Sequence, residues 1–88
     1  MIQIYSEVKT QEGTSNPWAT SSTDKYTMLV HSKLDEEGVR TELYKDKFKS
    51  HPQAPVCYGI TSFKQTKKNL SNGWKEYEID YYYQVYYN

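Results

Sequence analysis

The chain has 88 residues, enough for one domain and too few for two, and a domain of this size buries only roughly 60–65% of the surface its unfolded chain exposes. Eleven Lys and Arg balance eleven Asp and Glu, which argues against a general polyanion-coating protein, because non-specific phosphate binding scales with the number of basic contacts. The single Cys57 excludes an intrachain disulfide, and the longest aliphatic run, Met28-Leu29-Val30, is far too short for a membrane span.

Ten tyrosines in a chain short of Leu, Ile, Val and Phe predict many half-buried rings rather than one deep aliphatic centre. Residues 2–9 alternate, Ile2, Ile4 and Val8 against Gln3, Glu7 and Lys9, as a half-buried strand does. Residues 10–24 hold the turn formers Gly13, Ser15, Asn16, Pro17, Ser21, Ser22 and Asp24, and predict a long loop that carries Trp18. A second strand is expected over Lys25–Leu34, with Tyr26, Met28, Val30 and Leu34 on one face. Asp35-Glu36-Glu37-Gly38 then reads as a hairpin turn and Val39–Phe48 as the return strand. Val39, Leu43, Tyr44 and Phe48 also fit helical spacing, so a helix is the competing assignment.

Ser50-His51-Pro52-Gln53-Ala54-Pro55 predicts a connector, since each Pro steers its predecessor away from helix. Val56–Phe63 predicts a short strand with a bulge at Gly59, and Lys64–Gly73 a basic loop closing on the turn dipeptide Asn72-Gly73. Trp74–Tyr87 predicts the last and longest strand. Tyr77, Ile79, Tyr81, Tyr83, Val85 and Tyr87 share one face, and Glu76, Glu78, Asp80, Tyr82, Gln84 and Tyr86 the other. The expected class is all-β: a single domain over 1–88 forming a small five-stranded antiparallel barrel or strongly curved, OB-like sheet. If 36–49 is helical, the class becomes α+β with a four-stranded sheet.

Catalysis is not expected. His31 and His51 are the only imidazoles, Cys57 the only thiol, and no nucleophile motif surrounds them. His31 is expected on a strand surface, His51 in a loop and Cys57 as a small buried hydrophobe. These three lack the short spacing of zinc ligands, and the isolated glycines make no phosphate loop, so neither metal nor cofactor is expected. Glu76, Glu78 and Asp80 are more in keeping with a solvated strand face than with a cation site. The combination that remains is aromatic plus basic. Single-strand nucleic-acid binders stack bases on rings and run Lys or Arg along the phosphates. The stacking candidates are Trp18, Tyr26 and Tyr44, with Tyr58 and Trp74 beside them. The phosphate candidates are Lys25, Arg40, Lys64, Lys67 and Lys68, with Lys33 beside them. For any one Tyr, a strand or interface role outweighs base stacking, because Tyr favours strands and aromatics enrich protein interfaces.

Several short segments resemble the single-stranded-DNA-binding proteins of filamentous phages. They are the opening Met1-Ile2-Gln3-Ile4, the Gly/Ser/Thr-rich loop closing on Lys25-Tyr26-Thr27-Met28, the stretch Pro52-Gln53-Ala54-Pro55-Val56-Cys57-Tyr58-Gly59-Ile60, and Ser62-Phe63-Lys64. The resemblance implies a dimeric five-stranded OB-type barrel, with Tyr26 as a stacking residue and Lys64–Gly73 serving the dimer and the neighbouring strand. The chain departs from that family in a loop between Thr10 and Asp24 without Lys or Arg and in its acidic, Tyr-rich last strand. The expected function is non-catalytic binding of single-stranded DNA or RNA, as a homodimer in the cytoplasm, bacterial if phage-encoded, with no membrane association. The alternative is a small protein–protein inhibitor or adaptor, of phage anti-defence or immunity type. It would bind a host protein through Glu76, Glu78, Asp80, Tyr82 and Tyr86, and as an edge strand of that length the last strand could also pair with a partner's sheet.

Overall fold

The computed structural model describes residues 2–14, 16–49, 56–67 and 70–87. Four strands and one helix follow in the order β1 (Ile2–Gln11), β2 (Ser21–Ser32), α1 (Glu36–Lys45), β3 (Val56–Lys67) and β4 (Lys75–Tyr86). The strands form one antiparallel sheet in the order β1-β2-β4-β3. Two hairpins, β1–β2 and β3–β4, are thus zipped together along β2 and β4. The domain is mostly β, but the sheet is open. The closed five-stranded barrel is not formed among the described residues.

The missing strand is the segment Val39–Phe48, most of which belongs to α1. Local chemistry decides this. Asp35 caps the helix, its carboxylate accepting from Gly38 N at 2.9 Å. Glu36 and Glu37 in the first turn complement the helix dipole. Val39 and Leu43, one turn apart, are fully buried, and Phe48 beyond the helix is nearly so. Gly38 therefore sits inside a helical turn and not at a hairpin bend. One helical face suffices to bury these side chains against Met28 and Val30 of β2 and Tyr77, Ile79 and Tyr81 of β4. A fifth strand would have placed Val39 and Leu43 on one face but Phe48 on the other.

The helix covers one face of the sheet. Burial of each apolar side chain there contributes roughly 1.5–3 kcal/mol. Aromatic contacts extend this core past the helix end, with Phe48 against Tyr58 (5.1 Å between centroids) and Tyr81 (4.8 Å). Tyr77 and Tyr81 are buried in this core, and Tyr83 is half-buried beside Tyr58.

Three further expectations are corrected. Val8 does not share a face with Ile2 and Ile4, because the β1–β2 register skips a residue between Ile4 and Ser6. The bulge at Tyr5 shifts the alternation by one, turning Glu7 toward the helix side and leaving Val8 exposed on the other. Second, Lys64 and Lys67 belong to β3, which runs on well past Phe63. Only the Asn72-Gly73 turn is as predicted, both residues having positive φ (54° and 82°). Third, β4 lies between β2 and β3 and is not an edge. A partner cannot add a strand to it. The true edges, β1 and β3, carry bulges that discourage strand addition.

Candidate functional site

The helix-free face of the sheet gathers Glu76, Glu78, Asp80, Tyr82, Gln84 and Tyr86 along its centre. Opposite them on β2 stand His31, Leu29, Thr27, Lys25, Thr23 and Ser21. His31 Nε2 and Glu76 Oε2 are 2.9 Å apart, and the imidazole is stacked on Tyr5 at 4.9 Å. Thr66 donates its hydroxyl to the other Glu76 oxygen at 2.9 Å, with Lys67 Nζ at 4.0 Å. These partners, His31 first and then Thr66, hold the Glu76 carboxyl below its ordinary range. Asp80 accepts from Thr27 Oγ1 at 2.7 Å. The Tyr82 ring lies on Gly59 so closely that a Cβ there would come within 2.3 Å of it. Glu78, opposite Lys64 and Leu29, makes no ion pair among the described residues. This face is therefore a pre-ordered surface whose central acids are mostly engaged and whose tyrosines are seated.

The residues predicted to bind a nucleic acid strand are not brought together. Lys25, Lys64 and Lys67 belong to the helix-free face, but they stand across from Tyr82, Glu78 and Glu76. Tyr26 is on the helix side, stacked on Tyr81 at 5.1 Å. Arg40 lies on α1, bonded to Glu36 at 3.0 Å and over the Phe63 ring at 4.8 Å. Tyr44, also on α1, accepts from Ile60 N at 3.3 Å and meets Phe48 edge-on. Trp18 is 88% exposed in the loop between β1 and β2. Lys68 and His51 lie outside the described residues. Cys57 is half-buried near the Tyr82 hydroxyl (4.0 Å). It pairs with Gln84 whereas His31 pairs with Glu76, which sets the two at opposite ends of the sheet. Among the described residues no three His, Cys, Asp or Glu side chains are grouped to hold a metal.

A second feature escaped sequence reasoning. Past the C-terminal end of α1, Glu7, Tyr26, Lys47, Tyr58, Tyr81 and Tyr83 line an open cleft of about 230 Å³. Lys47 Nζ pairs with Glu7 at 2.9 Å and lies 5.8 Å from the Tyr81 ring centre. The Tyr81 hydroxyl donates to Glu7. Burial, reinforced by Glu7, pushes that hydroxyl above the usual tyrosine range, and burial does the same to Tyr58. No spacing pattern announces Glu7 here, because only the bulge at Tyr5 points it inward. A larger open hollow, about 360 Å³, is lined by Gln3, His31, Leu70, Ser71 and Trp74.

Compared with known proteins, the chain matches no family model, no curated protein and no solved structure. Among the described residues no helix is long and apolar enough to cross a membrane.

Proposed function

We propose that the chain is a non-catalytic binding protein of inhibitor or adaptor type that docks a protein partner on the helix-free face of its sheet. One observation carries this: Glu76, Glu78, Asp80, Tyr82 and Tyr86 all lie on the face that α1 leaves bare. Tyr is among the residues that enrich interfaces, since it offers a large rigid contact with a polar tip. The longer extents of the molecule, 50 and 25 Å, accommodate the roughly 800 Å² per partner of a standard interface. Glu78, which makes no ion pair or side-chain hydrogen bond among the described residues, fits a partner surface bearing Lys or Arg. Single-strand nucleic-acid binding is the weaker reading. The seven of its residues that are described are spread over the bare face, the helix side and a loop, and they make no continuous track.

The test is capture from a nuclease-treated bacterial lysate with tagged wild type, Glu78→Lys, the double variant Tyr82→Ala/Tyr86→Ala, and the helix-side control Glu37→Gln. The expected result is one stoichiometric protein held by wild type and control and released by both bare-face variants. Equal capture by all four overturns the reading. So does saturable, salt-reversible quenching of Trp18 fluorescence by oligo-dT, which would restore the nucleic-acid assignment.

A further inference from the structure

The tyrosine cleft on the helix side is a built site that docking on the bare face does not use. Its walls are tyrosine side chains that pack on one another and turn mostly polar atoms to the opening. Tyr26 stacks on Tyr81, and Tyr58 meets Tyr83 at 5.0 Å. Its charged acceptor is Glu7, which faces the cleft only because β1 bulges at Tyr5, and bulges of this kind re-aim side chains beside functional sites. The hydroxyls of Tyr26, Tyr58 and Tyr83 make no hydrogen bond to another described residue, so three phenol oxygens are free to accept. The chain's own cations also reveal the preference of these rings. Lys47 Nζ sits against Glu7 and Tyr81, and Lys9 Nζ lies 5.7 Å from the centre of the Tyr26 ring.

Carboxylate, phenol oxygens and ring faces around one small cleft are complementary to a planar cation with many donors. A guanidinium has five N–H donors in a fixed fork and stacks on aromatic faces, which an ammonium does not do. At about 230 Å³ the cleft falls below the roughly 300–1,000 Å³ of small-molecule sites, and it suits a single side chain. We propose that the cleft formed by Glu7, Tyr26, Tyr58, Tyr81 and Tyr83 is a receptor for an arginine side chain of a partner, with Lys47 as the tethered placeholder that the arginine displaces. Lys47 is suited to leave, because it lies in the turn after α1 and its side chain is partly exposed.

The probes are methylguanidinium, its uncharged counterpart methylurea, and a blocked Gly-Arg-Gly peptide, titrated against wild type and Lys47→Ala while tyrosine ring signals are followed by NMR. Methylguanidinium and the peptide should shift the Tyr26, Tyr58 and Tyr83 signals saturably in Lys47→Ala. Affinity should be about tenfold or more weaker in wild type, where a tethered group at millimolar effective concentration competes. Methylurea should give no saturable shift. Adding Glu7→Gln to Lys47→Ala should abolish binding, and Tyr83→Leu serves as a second loss variant, each checked for native amide dispersion. The proposal is overturned if folded Lys47→Ala fails to bind methylguanidinium, if methylurea binds equally well, if the peptide does not bind, or if binding survives both Glu7→Gln and Tyr83→Leu.

Discussion

Single residues decide how this domain responds to pH, and the two most informative lie on opposite faces. Tyr81 is buried and donates to Glu7, so its folded-state ionisation lies above the ordinary tyrosine value near 10. The folded protein keeps a proton that the unfolded chain releases. The associated stability is therefore complete below pH 10 and is lost as pH climbs past it toward the folded value. In urea unfolding at pH 8 and pH 11, Tyr81→Phe should lose less stability over that interval than wild type. Equal losses would show that another group sets the alkaline limb. Glu76 works with the opposite sign. Its folded value is depressed by His31 and Thr66, so the stability it lends is present above the ordinary carboxylate value and disappears as pH falls through the folded one. Glu76→Gln should flatten the acid limb between about pH 5 and pH 2, measured by thermal midpoint. An unchanged limb would mean that the His31–Glu76–Thr66 cluster contributes nothing to acid stability. The alternation of β4 separated Tyr81 from Glu76 in the sequence. Their partners, Glu7 and Thr66, were not legible there, because each follows or occupies an irregularity in its own strand.

At the scale of elements, regular alternation was readable and departures from it were not. The alternation of the last strand gave its faces correctly over Lys75–Tyr86, because nothing interrupts its pairing with β2, while Trp74 and Tyr87 fall outside the strand. The segment 39–48 was ambiguous because Val39 and Leu43 share a face in a strand and in a helix alike, and the cap chemistry just upstream resolved it. Asp35 is the residue that makes the difference. Asp35→Ala removes the acceptor for Gly38 N and should cost about 0.5–2 kcal/mol. In a domain of this length that corresponds to a fall in thermal midpoint of several degrees. Asp35→Asn should retain most of the stability. If alanine is as stable as wild type by denaturant titration, the helix is held by Val39 and Leu43 packing alone. The bulge at Tyr5 is the element that no pattern exposes. It costs one residue of regular pairing and in return places a carboxylate among four phenol rings.

For the whole molecule, the division of labour between two faces makes Gly59 a diagnostic position. One face is closed by α1 and supplies the core. The other is left bare by the helix, and one of its rings, Tyr82, rests directly on Gly59 of the neighbouring strand. Gly59 has no positive φ that would demand glycine. Its lack of a side chain is required by the ring above it. Gly59→Ala places a methyl where the ring now sits, and the ring must rotate away. The core lies on the far side of the sheet, so the fold should survive, at a cost in the overpacking range of about 1–3 kcal/mol. Partner capture, by contrast, should fall as far as it does in Tyr82→Ala, although position 59 offers a partner no group of its own. The comparison separates two accounts of the same glycine. If Gly59→Ala loses stability but binds normally, Tyr82 only shields the strand beneath it. If it stays folded and stops binding, the seat that Gly59 provides for Tyr82 is part of the docking surface.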